Sequence, residues 1–403
     1  MDTAPSTTSA LERIQDLEAR YLFTTYTRVP LLLERGKGVF VYDSTGKKYL
    51  DFISGIGVNA LGYAHPRLLA VIKEQSKRLI HISNLFYNEF QGPLAERLTK
   101  ASNMERAFFT VSGAEAAECA LKVARSVGHR ISPEKYELVA LTHSFHGRTM
   151  GAVSVTGWED YRAPFGPLLP KVHFVPANDV AALTAVVNAN TCGIILEPVQ
   201  GEGGIHPLNP AYLRAAADLA RQHQACLIID EIQCGMGRTG KLFAHQWTDV
   251  VPDILITAKP IASGYPLGAV MARGAAATAL TSHSHGTTFG GGPLACRLAL
   301  EVLDIVDNEG MYAHIRAMGE RLQQGMQKLA AKHKCVKEVR GKGLMLGMEL
   351  DRPAKPVFES MVEQGLIANV THEFTIRMLP PYVIEAQHVD KALRILGKAL
   401  KKA

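Results

Sequence analysis

The chain of 403 residues lacks several features that would assign it quickly to a class of protein. Its longest apolar stretches fall far short of the roughly 18 residues that a membrane span requires, and its first residues, MDTAPSTTSA, show neither the cationic start nor the apolar core of a signal peptide. Basic residues exceed acidic ones only slightly, 44 against 38, without a block of either sign. We therefore expect a cytoplasmic protein that binds neither membranes nor nucleic acid, while the basic excess suits a small anionic ligand.

Motifs for disulfide bonding, metal binding and hydrolysis are also missing. The six cysteines form no CxxC pair and lie mostly among apolar residues, which predicts reduced thiols and no disulfide. The histidine pairs in HSFH (143–146) and HSH (283–285) lack HExxH spacing and a neighbouring cluster of cysteines or carboxylates, so we expect supporting histidines and no metal. No serine lies in a GxSxG elbow, which leaves a hydrolase triad without support.

What the chain has is a long alternation of short apolar runs and helical patterns between about residues 107 and 300. The predicted strands are AFFTV (107–111), LVALT (138–142), VHFV (172–175), GIILEP (193–198), CLIID (226–230), ILIT (254–257) and LGAVM (267–271). Helical patterns between them are EAAECALKVARSV, DVAALTAVVN and PAYLRAAADLARQH. Continuous apolar strands separated by helices predict an α/β fold with a parallel sheet covered on both faces.

The two ends of the chain have a different pattern. Residues 38–53 predict a hairpin with a turn near 44–47, followed by a helix near 67–80, and the C-terminal part predicts a long amphipathic helix, a strand in GLMLGMEL and a last helix. No repeat or low-complexity linker separates these parts. We expect residues 63–308 to form a large domain, residues 309–403 a smaller one, and residues 1–62 an N-terminal segment that joins the smaller domain.

Two motifs at predicted strand ends point to a ligand. In VSGAEAAECALKVAR (111–125) a strand runs through Gly113 into a helix, whose first N–H groups could hold a phosphate, although an ordinary strand-to-helix turn has the same pattern. Asp230 ends the strand CLIID, where doubly wound sheets bind ligands, or it satisfies a hydrogen bond in the core. The GxGxxG that follows is not a dinucleotide motif, because EIQC separates it from the strand and no apolar helix comes after it.

Lys259 is the third candidate for chemistry. It follows the apolar strand ILIT and precedes Pro260, and a residue before proline is biased away from the α region, which predicts an extended or turn conformation just past the strand. At the rim of a low-dielectric site the pKa of a lysine falls, and its amine can then form an imine with an aldehyde. A solvated surface charge is the ordinary alternative, which the flanking ILIT and SGYPLG disfavour.

Together with an aromatic residue before His-Gly-Arg, these motifs resemble those of the class III, pyridoxal-phosphate-dependent aminotransferases, and within that family most of all the acetylornithine aminotransferases. The similar segments are DSTGKKYLDFISGIGVNALGYAHP, SNLFYNE, VSGAEA, SFHGRT, EPVQGEGG, IDEIQCGMGRTG, HGTTFGGGPLA, RGKGLMLGMELD and IRMLPPYVI. The resemblance implies fold type I, with a mainly parallel seven-stranded sheet in a large domain that binds pyridoxal 5′-phosphate (PLP), and a smaller α+β domain.

The resemblance implies that Lys259 binds the aldehyde of PLP covalently and, once displaced by substrate, shuttles a proton between substrate and cofactor. Asp230 would pair with the pyridinium nitrogen and keep it protonated. Further cofactor contacts implied by the resemblance are Gly113, Ala114, Phe145, Glu231, Ile232, Gln233 and Thr288. Gly113 and Ala114 would hold the phosphate, and Phe145 would stack on the ring.

The resemblance also implies specific roles for Gln233 and Thr288. Gln233 would reach the phenolic oxygen of the cofactor ring. Thr288 comes from the neighbouring subunit in this family, so the resemblance implies a homodimer with shared active sites.

Two arginines would recognise carboxylates by bidentate hydrogen bonds. By resemblance, Arg148 binds the α-carboxylate of the amino donor or the distal carboxylate of 2-oxoglutarate, and Arg377 binds the α-carboxylate of 2-oxoglutarate. Glu202 would neutralise Arg377 while the donor is bound and swing away for the oxoacid. Thr287 would be a further substrate contact from the partner chain.

The sequence departs from the family pattern at a few positions. The family often has asparagine and threonine around the phosphate turn, where this chain has Val111 and Ala114, and glycine or alanine where it has Pro260. Ile56 stands where ornithine aminotransferases have a tyrosine that grips a free α-amino group. This last difference favours a donor whose α-amine is blocked or absent.

The activity implied by the resemblance is transfer of the terminal amino group of N-acetylornithine to 2-oxoglutarate, as in arginine biosynthesis. A donor such as 4-aminobutyrate, succinylornithine or ornithine is the alternative, because it would use the same arginines. A PLP-dependent isomerase would need no second arginine, and a noncatalytic binding protein would be expected to have lost Lys259 or Asp230. The acyl group of the donor, association beyond a dimer, and synthesis against breakdown of arginine stay open.

Overall fold

A seven-stranded sheet forms the centre of the computed structural model, which describes residues 9–402. In chain order the strands are β1 (Leu33–Lys37), β2 (Phe40–Asp43), β3 (Lys48–Asp51), β4 (Arg106–Thr110), β5 (Glu137–Leu141), β6 (Val172–Val175), β7 (Thr191–Leu196), β8 (Val199–Gln200), β9 (His206–Pro207), β10 (Cys226–Asp230), β11 (Ile254–Thr257), β12 (Gly268–Ala272), β13 (Val336–Lys342), β14 (Met345–Leu350), β15 (Leu366–Ile367), β16 (Asn369–Thr371) and β17 (Thr375–Met378).

Helices cover both faces of this sheet and flank the smaller ones. In chain order they are α1 (Ala10–Tyr21), α2 (Ser54–Gly57), α3 (Pro66–Gln75), α4 (Gln91–Ser102), α5 (Gly113–His129), α6 (Met150–Ser154), α7 (Glu159–Arg162), α8 (Val180–Val186), α9 (Pro210–Gln222), α10 (Pro293–Val306), α11 (Glu309–Ala330), α12 (Lys355–Glu363) and α13 (Ala386–Ala399). None of the helices described is long and apolar enough to cross a bilayer.

The strand order in the large sheet is β4-β12-β11-β10-β7-β5-β6, and every neighbouring pair is parallel except those made by β12. Strand β12 runs antiparallel to both β11 and β4, because the ten residues 258–267 are too few for the crossover that a parallel neighbour requires. The sheet is therefore the mainly parallel, seven-stranded one that the resemblance implied. The predicted bounds of β6, β10 and β11 are the observed ones.

Side chains of the central strands alternate between two cores. Ile228 and Ile254 pack in the cluster that contains the buried face of α5, whereas Ile229 and Leu255 pack in the larger cluster that includes α9 and α10. This alternation follows from the two-residue period of a strand. Burial on both faces explains why these strands are continuously apolar in the sequence.

The two ends of the chain meet in a smaller sheet, with the order β1-β2-β3-β15. Strand β15 lies parallel to β3, so that Leu366 is the partner of Leu50. Strands β13, β14, β17 and β16 form a further antiparallel sheet. The domain boundaries stay a prediction, although this pairing joins the N-terminal hairpin to the C-terminal part of the chain.

The segment after β3 has unusual backbone geometry. All four residues of α2 have positive φ angles, 46° at Ser54, 65° at Gly55, 62° at Ile56 and 76° at Gly57. The left-handed region is costly for a side chain branched at Cβ such as that of Ile56. The buried carboxylate of Asp51 stabilises the turn by accepting hydrogen bonds from the N–H groups of residues 53 and 54, at 2.9 and 3.0 Å.

All six cysteines are free and buried. No group of three or more histidine, cysteine or acidic side chains with a geometry suited to a metal ion occurs in the described chain.

Candidate active site

Polar side chains gather in a cavity of about 260 Å³ at the carboxyl edge of the large sheet. It lies past the ends of β5, β7, β10 and β11, the edge at which open α/β sheets bind ligands. Its lining consists of Gly113, Ala114, Phe145, His146, Gly147, Arg148, Glu197, Glu202, Asp230, Ile232, Gln233 and Lys259. The fold thus brings together most of the site residues predicted from the sequence.

Lys259 lies two residues beyond β11 and begins a short 3-10 turn, Lys259–Ala262. Pro260 occupies the second position of this turn, where a missing N–H leaves no hydrogen bond unmade, so it is compatible with the loop. Within residues 9–402 the amine of Lys259 has no hydrogen-bond or ion-pair partner. Burial lowers the pKa of Lys259, an effect that the nearby carboxylates of Glu202 and Asp230 only partly oppose.

Asp230 is the last residue of β10 and is almost fully buried, with 3% exposure. One carboxylate oxygen accepts a hydrogen bond from the N–H of Ile232 at 2.9 Å, and the other lies 2.7 Å from Nδ1 of the buried His146. These two contacts fix the orientation of the carboxylate. His146 is one of the supporting histidines that we expected in HSFH, but its partner, 84 positions away along the chain, could not be inferred from the sequence.

Glu197 was missed by the sequence analysis. It directly follows β7, and its two carboxylate oxygens accept hydrogen bonds from the N–H groups of Phe145 and Gly201, at 2.9 and 3.0 Å. Burial raises the pKa of Glu197 to about 7, and the neighbouring carboxylate of Asp230 acts in the same direction. A signal was available in GIILEP, where a single carboxylate ends a buried apolar strand in the same way as Asp230.

Gly113 and Ala114 are the first two residues of α5, whose N–H groups have no acceptor inside the helix. The hydroxyl of Ser112 caps this helix by accepting a hydrogen bond from the N–H of Glu115 at 3.2 Å. A Cβ atom on Gly113 would lie only 2.8 Å from Cδ1 of Ile232. Glycine at this position therefore lets Ile232 pack closely beside the helix N-terminus, which remains open to an anion.

These residues fit pyridoxal 5′-phosphate. The cavity offers the amine of Lys259 for the aldehyde, an oriented carboxylate at Asp230 for the ring nitrogen, and a helix N-terminus at Gly113 for the phosphate. Phe145, anchored through its backbone by Glu197, supplies an aromatic surface at the same cavity. The roles of the individual residues remain predictions.

Arg377 lies beside this cavity on β17 and is fully buried. Its Nη1 donates hydrogen bonds to Oε1 of Glu202 at 2.6 Å and to Oε1 of Gln233 at 3.2 Å, and its Nε donates to Oδ1 of Asn369 at 3.0 Å. Burial opposes ionisation of Glu202, yet the positive charge of Arg377 lowers the pKa of this carboxyl below its ordinary value. The two residues form a neutral pair at the cavity.

Arg148 differs from Arg377 in its surroundings. Its side chain is exposed at the mouth of the cavity, and within the described residues it forms no ion pair. Its guanidinium carbon lies 3.5 Å from the centre of the Tyr161 ring. Arg148 is therefore free to bind a carboxylate that enters from solvent.

Besides Arg377, which lies next to the cavity, three predicted site residues are outside the cavity lining of this chain. The side chain of Glu231 turns away and accepts hydrogen bonds from the backbone of Ala244 and from both the backbone and the ring of His245, and its predicted cofactor contact stays a prediction. Consecutive side chains alternate in direction at a strand end, and Asp230 already points toward the cavity. Thr287 and Thr288 lie outside the lining, as they would if they serve a neighbouring subunit.

A sequence model of the aminotransferase class-III family matches residues 22–400. The acetylornithine aminotransferase of Caldanaerobacter subterraneus is 42% identical over 96% of this chain and 98% of its own length, and that of Methanocaldococcus jannaschii is 43% identical over 95% and 96%. Among solved structures, the ornithine aminotransferase of Toxoplasma gondii superposes with a TM-score of 0.94 at 32% identity, covering 98% of this chain and 96% of that one. The acetylornithine aminotransferase of Elizabethkingia anophelis gives 0.86 at 31% identity, with coverages of 98% and 100%.

The match spans nearly the whole chain and includes the residues that line the cavity. The chain therefore belongs to the class-III aminotransferases, which use pyridoxal 5′-phosphate.

Proposed function

We propose that the protein transfers the terminal amino group of N-acetylornithine to 2-oxoglutarate, giving N-acetylglutamate semialdehyde and glutamate, a reaction of arginine biosynthesis. The observation that carries this proposal is the Glu202–Arg377 pair beside a cavity that also contains Lys259 and Arg148, which has no ion-pair partner among residues 9–402. An enzyme that alternates between one-carboxylate and two-carboxylate substrates needs a second cation that can be neutralised.

The two arginines allow one site to bind a substrate with one carboxylate and a substrate with two. Arg148 binds the single carboxylate of N-acetylornithine, and Glu202 meanwhile keeps the buried Arg377 neutralised. When 2-oxoglutarate enters, its distal carboxylate binds Arg148, and its α-carboxylate replaces Glu202 as the partner of Arg377. Glu202 is suited to this exchange because its side chain is 27% exposed, whereas that of Arg377 is fully buried.

Lys259 moves the proton in this proposal. Bound PLP supplies an electron sink for the negative charge that develops at the substrate carbon. The lowered pKa of Lys259 leaves its amine neutral, and therefore basic, over a wider pH range than that of an exposed lysine. Asp230, held by His146, keeps the ring nitrogen of the cofactor protonated.

The choice of donor is supported by the curated relatives, which are named acetylornithine aminotransferases, and by Ile56, an apolar residue with 39% exposure on the strained turn α2. An apolar side chain offers no hydrogen bond to a free α-amine. Ornithine is the second candidate, because an ornithine aminotransferase gives the TM-score of 0.94.

A homodimer and a cytoplasmic location belong to the same proposal. Several large apolar side chains are strongly exposed on the single chain, among them Leu85 at 86%, Tyr87 at 104% and Phe289 at 63%. Such side chains suit a subunit interface. The six buried free cysteines are typical of proteins in a reducing compartment.

Steady-state assays with 2-oxoglutarate and a panel of donors test the proposed function. We expect kcat/KM for N-acetylornithine to exceed that for 4-aminobutyrate and for ornithine by about tenfold or more. The Lys259→Ala variant should lose transamination and the visible absorbance of lysine-bound PLP. A higher kcat/KM for 4-aminobutyrate or ornithine would refute the choice of donor, and an active Lys259→Ala variant would refute the mechanism.

A further inference from the structure

We propose that Tyr161 is a positioning residue for substrate recognition: its ring holds the guanidinium of Arg148 in place while leaving every N–H of that group free for a substrate carboxylate. This inference rests on the proposed function, in which Arg148 binds that carboxylate. It concerns a residue outside the cavity lining, in the four-residue helix α7.

The geometry is that of a cation stacked on an aromatic face. The guanidinium carbon of Arg148 lies 3.5 Å from the centre of the Tyr161 ring and 5.5 Å from that of the Phe145 ring. Attraction between a guanidinium and an aromatic face reaches about 6 Å, so Tyr161 is the closer support and Phe145 the weaker one. Arg148 has no carboxylate partner anywhere between residues 9 and 402.

An aromatic support has a property that a carboxylate lacks. The five N–H groups of arginine lie in the guanidinium plane, and stacking uses the face of that plane, so the donors at its edge stay available. A carboxylate partner would consume those donors and neutralise the charge, as Glu202 does at Arg377. Tyr161 therefore orients Arg148 without competing with the substrate.

The Tyr161 ring is itself held by other rings. Phe145 meets it edge-on at 6.4 Å and an interplanar angle of 90°, and Trp158 lies 6.2 Å away. Trp158 in turn contacts His143 at 4.8 Å and His372 at 5.1 Å, measured between ring centres. Residue 372 follows Thr371, whose hydroxyl donates a hydrogen bond to the backbone carbonyl of Glu202 at 2.6 Å. These contacts fix the ring on which Arg148 lies.

The ring of Tyr161, and not its hydroxyl, should carry this effect, since the hydroxyl makes no hydrogen bond with any other part of the described chain. The test therefore compares the holoenzymes of Tyr161→Phe, which keeps the ring, and Tyr161→Leu, which keeps an apolar side chain without an aromatic face. The donors are N-acetylornithine and N-acetylputrescine, which is the same molecule without the carboxylate.

We expect Tyr161→Phe to stay within about twofold of the wild type. Tyr161→Leu should raise KM for N-acetylornithine about threefold to fivefold with little change in kcat, because the attraction of a cation to an aromatic face at an exposed site corresponds to roughly such a factor. Its kcat/KM for N-acetylputrescine should be unchanged. In an Arg148→Met background, Tyr161→Leu should have no further effect on KM for either donor.

Equal losses with both donors would show that Tyr161 is only structural, and an unchanged KM in Tyr161→Leu would also overturn the proposal. The acceptor gives a readout that does not depend on the identity of the donor. The ratio of kcat/KM for 2-oxoglutarate to that for 2-oxobutyrate, which lacks the distal carboxylate, should fall in Tyr161→Leu. If the donor panel contradicts N-acetylornithine but this ratio falls, the role of Tyr161 stands without the proposed donor.

Discussion

Two buried carboxylates, Glu197 and Asp230, end neighbouring strands at the site and have different partners. Asp230 receives one hydrogen bond from the side chain of His146, whereas Glu197 receives two from backbone N–H groups. Only the carboxylate with the histidine partner matches the proposed contact with a cationic ring nitrogen. Glu197, whose pKa is raised, instead fixes the backbone of Phe145 by accepting a hydrogen bond from its N–H group.

The raised pKa of Glu197 predicts a pH dependence of stability. Its pKa of about 7 in the folded state exceeds the ordinary value of 4.5, so the folded protein holds this proton more tightly than the unfolded chain. The resulting stabilisation is complete below about pH 4.5 and is lost as the pH rises to about 7. In urea denaturation of the PLP-free protein, Glu197→Gln should therefore show a shallower fall in the free energy of unfolding over this range. Parallel pH curves for the two proteins would contradict this.

Glu202→Gln should affect the half-reaction with the amino donor and the half-reaction with 2-oxoglutarate in opposite directions. The substitution keeps the shape of the side chain but leaves Arg377 as a buried cation without a counter-ion, which favours any ligand with a second carboxylate. We expect KM for 2-oxoglutarate to fall. The apparent kcat/KM for N-acetylornithine, measured at a fixed concentration of 2-oxoglutarate, should fall about tenfold because free 2-oxoglutarate and glutamate compete more strongly for the site.

Glu338→Gln is the matched control for Glu202→Gln, because Glu338 also pairs with an arginine, Arg340, but is 58% exposed. Its kinetics should be those of the wild type. An equal loss in both half-reactions of Glu202→Gln would argue against an exchange of partners at Arg377.

At the scale of elements, the position of α5 depends on a close contact at its C-terminal end. A Cβ atom on Gly128 would overlap the carbonyl oxygen of Lys135 and lie 2.7 Å from Cβ of Cys192. Because backbone at this contact cannot move without disturbing β5 and β7, Gly128→Ala should destabilise the protein by about 1–3 kcal/mol.

The control for Gly128→Ala is Gly92→Ala in α4, where a Cβ atom would meet nothing within 4 Å. Alanine is the better helix former, so this variant should be as stable as the wild type or more stable by up to about 1 kcal/mol. Thermal or urea unfolding of both variants measures the difference. Equal stability of the two would show that α5 can shift away from β5 and β7.

The elements around the site were largely predictable, since buried strands are continuously apolar and helices have their own period. ILIT and CLIID were predicted at their observed bounds, and the lysine and aspartate follow from their positions at the strand ends. Two further features could have been derived. The short connection before LGAVM requires an antiparallel strand, and the alternation of side chains directs Glu231 away from Asp230.

At the scale of the whole molecule, long-range pairings could not be predicted, because no local pattern specifies which distant segments meet. The contacts of His146 with Asp230, of Tyr161 with Arg148 and of β15 with β3 are of this kind. Sequence patterns indicate that a strand exists, while its neighbours depend on the packing of the entire chain. The roles of Thr287 and Thr288 depend on a second chain and remain predictions.

Shared active sites predict complementation between two inactive variants. In a mixed dimer of Lys259→Ala with Thr288→Asp, one site would carry both lesions and the other would be intact, if Thr288 serves the neighbouring subunit. After subunit exchange at equal amounts, we expect about a quarter of the wild-type activity, since half of the dimers are mixed and each has one good site. Activity is measured before and after exchange, with the mass of the assembly checked by sedimentation. No recovery despite exchange would place Thr288 at the site of its own chain.

The left-handed turn at Ser54–Gly57 has a consequence for directed evolution of this enzyme. Glycine at position 56 would adopt the observed φ of 62° without the strain that isoleucine bears. A library screened for heat resistance alone should therefore enrich Ile56→Gly. The same clones would lose the apolar side chain that we associate with a blocked donor amine. Selection for heat resistance alone would therefore also lower the selectivity of the enzyme for its amino donor.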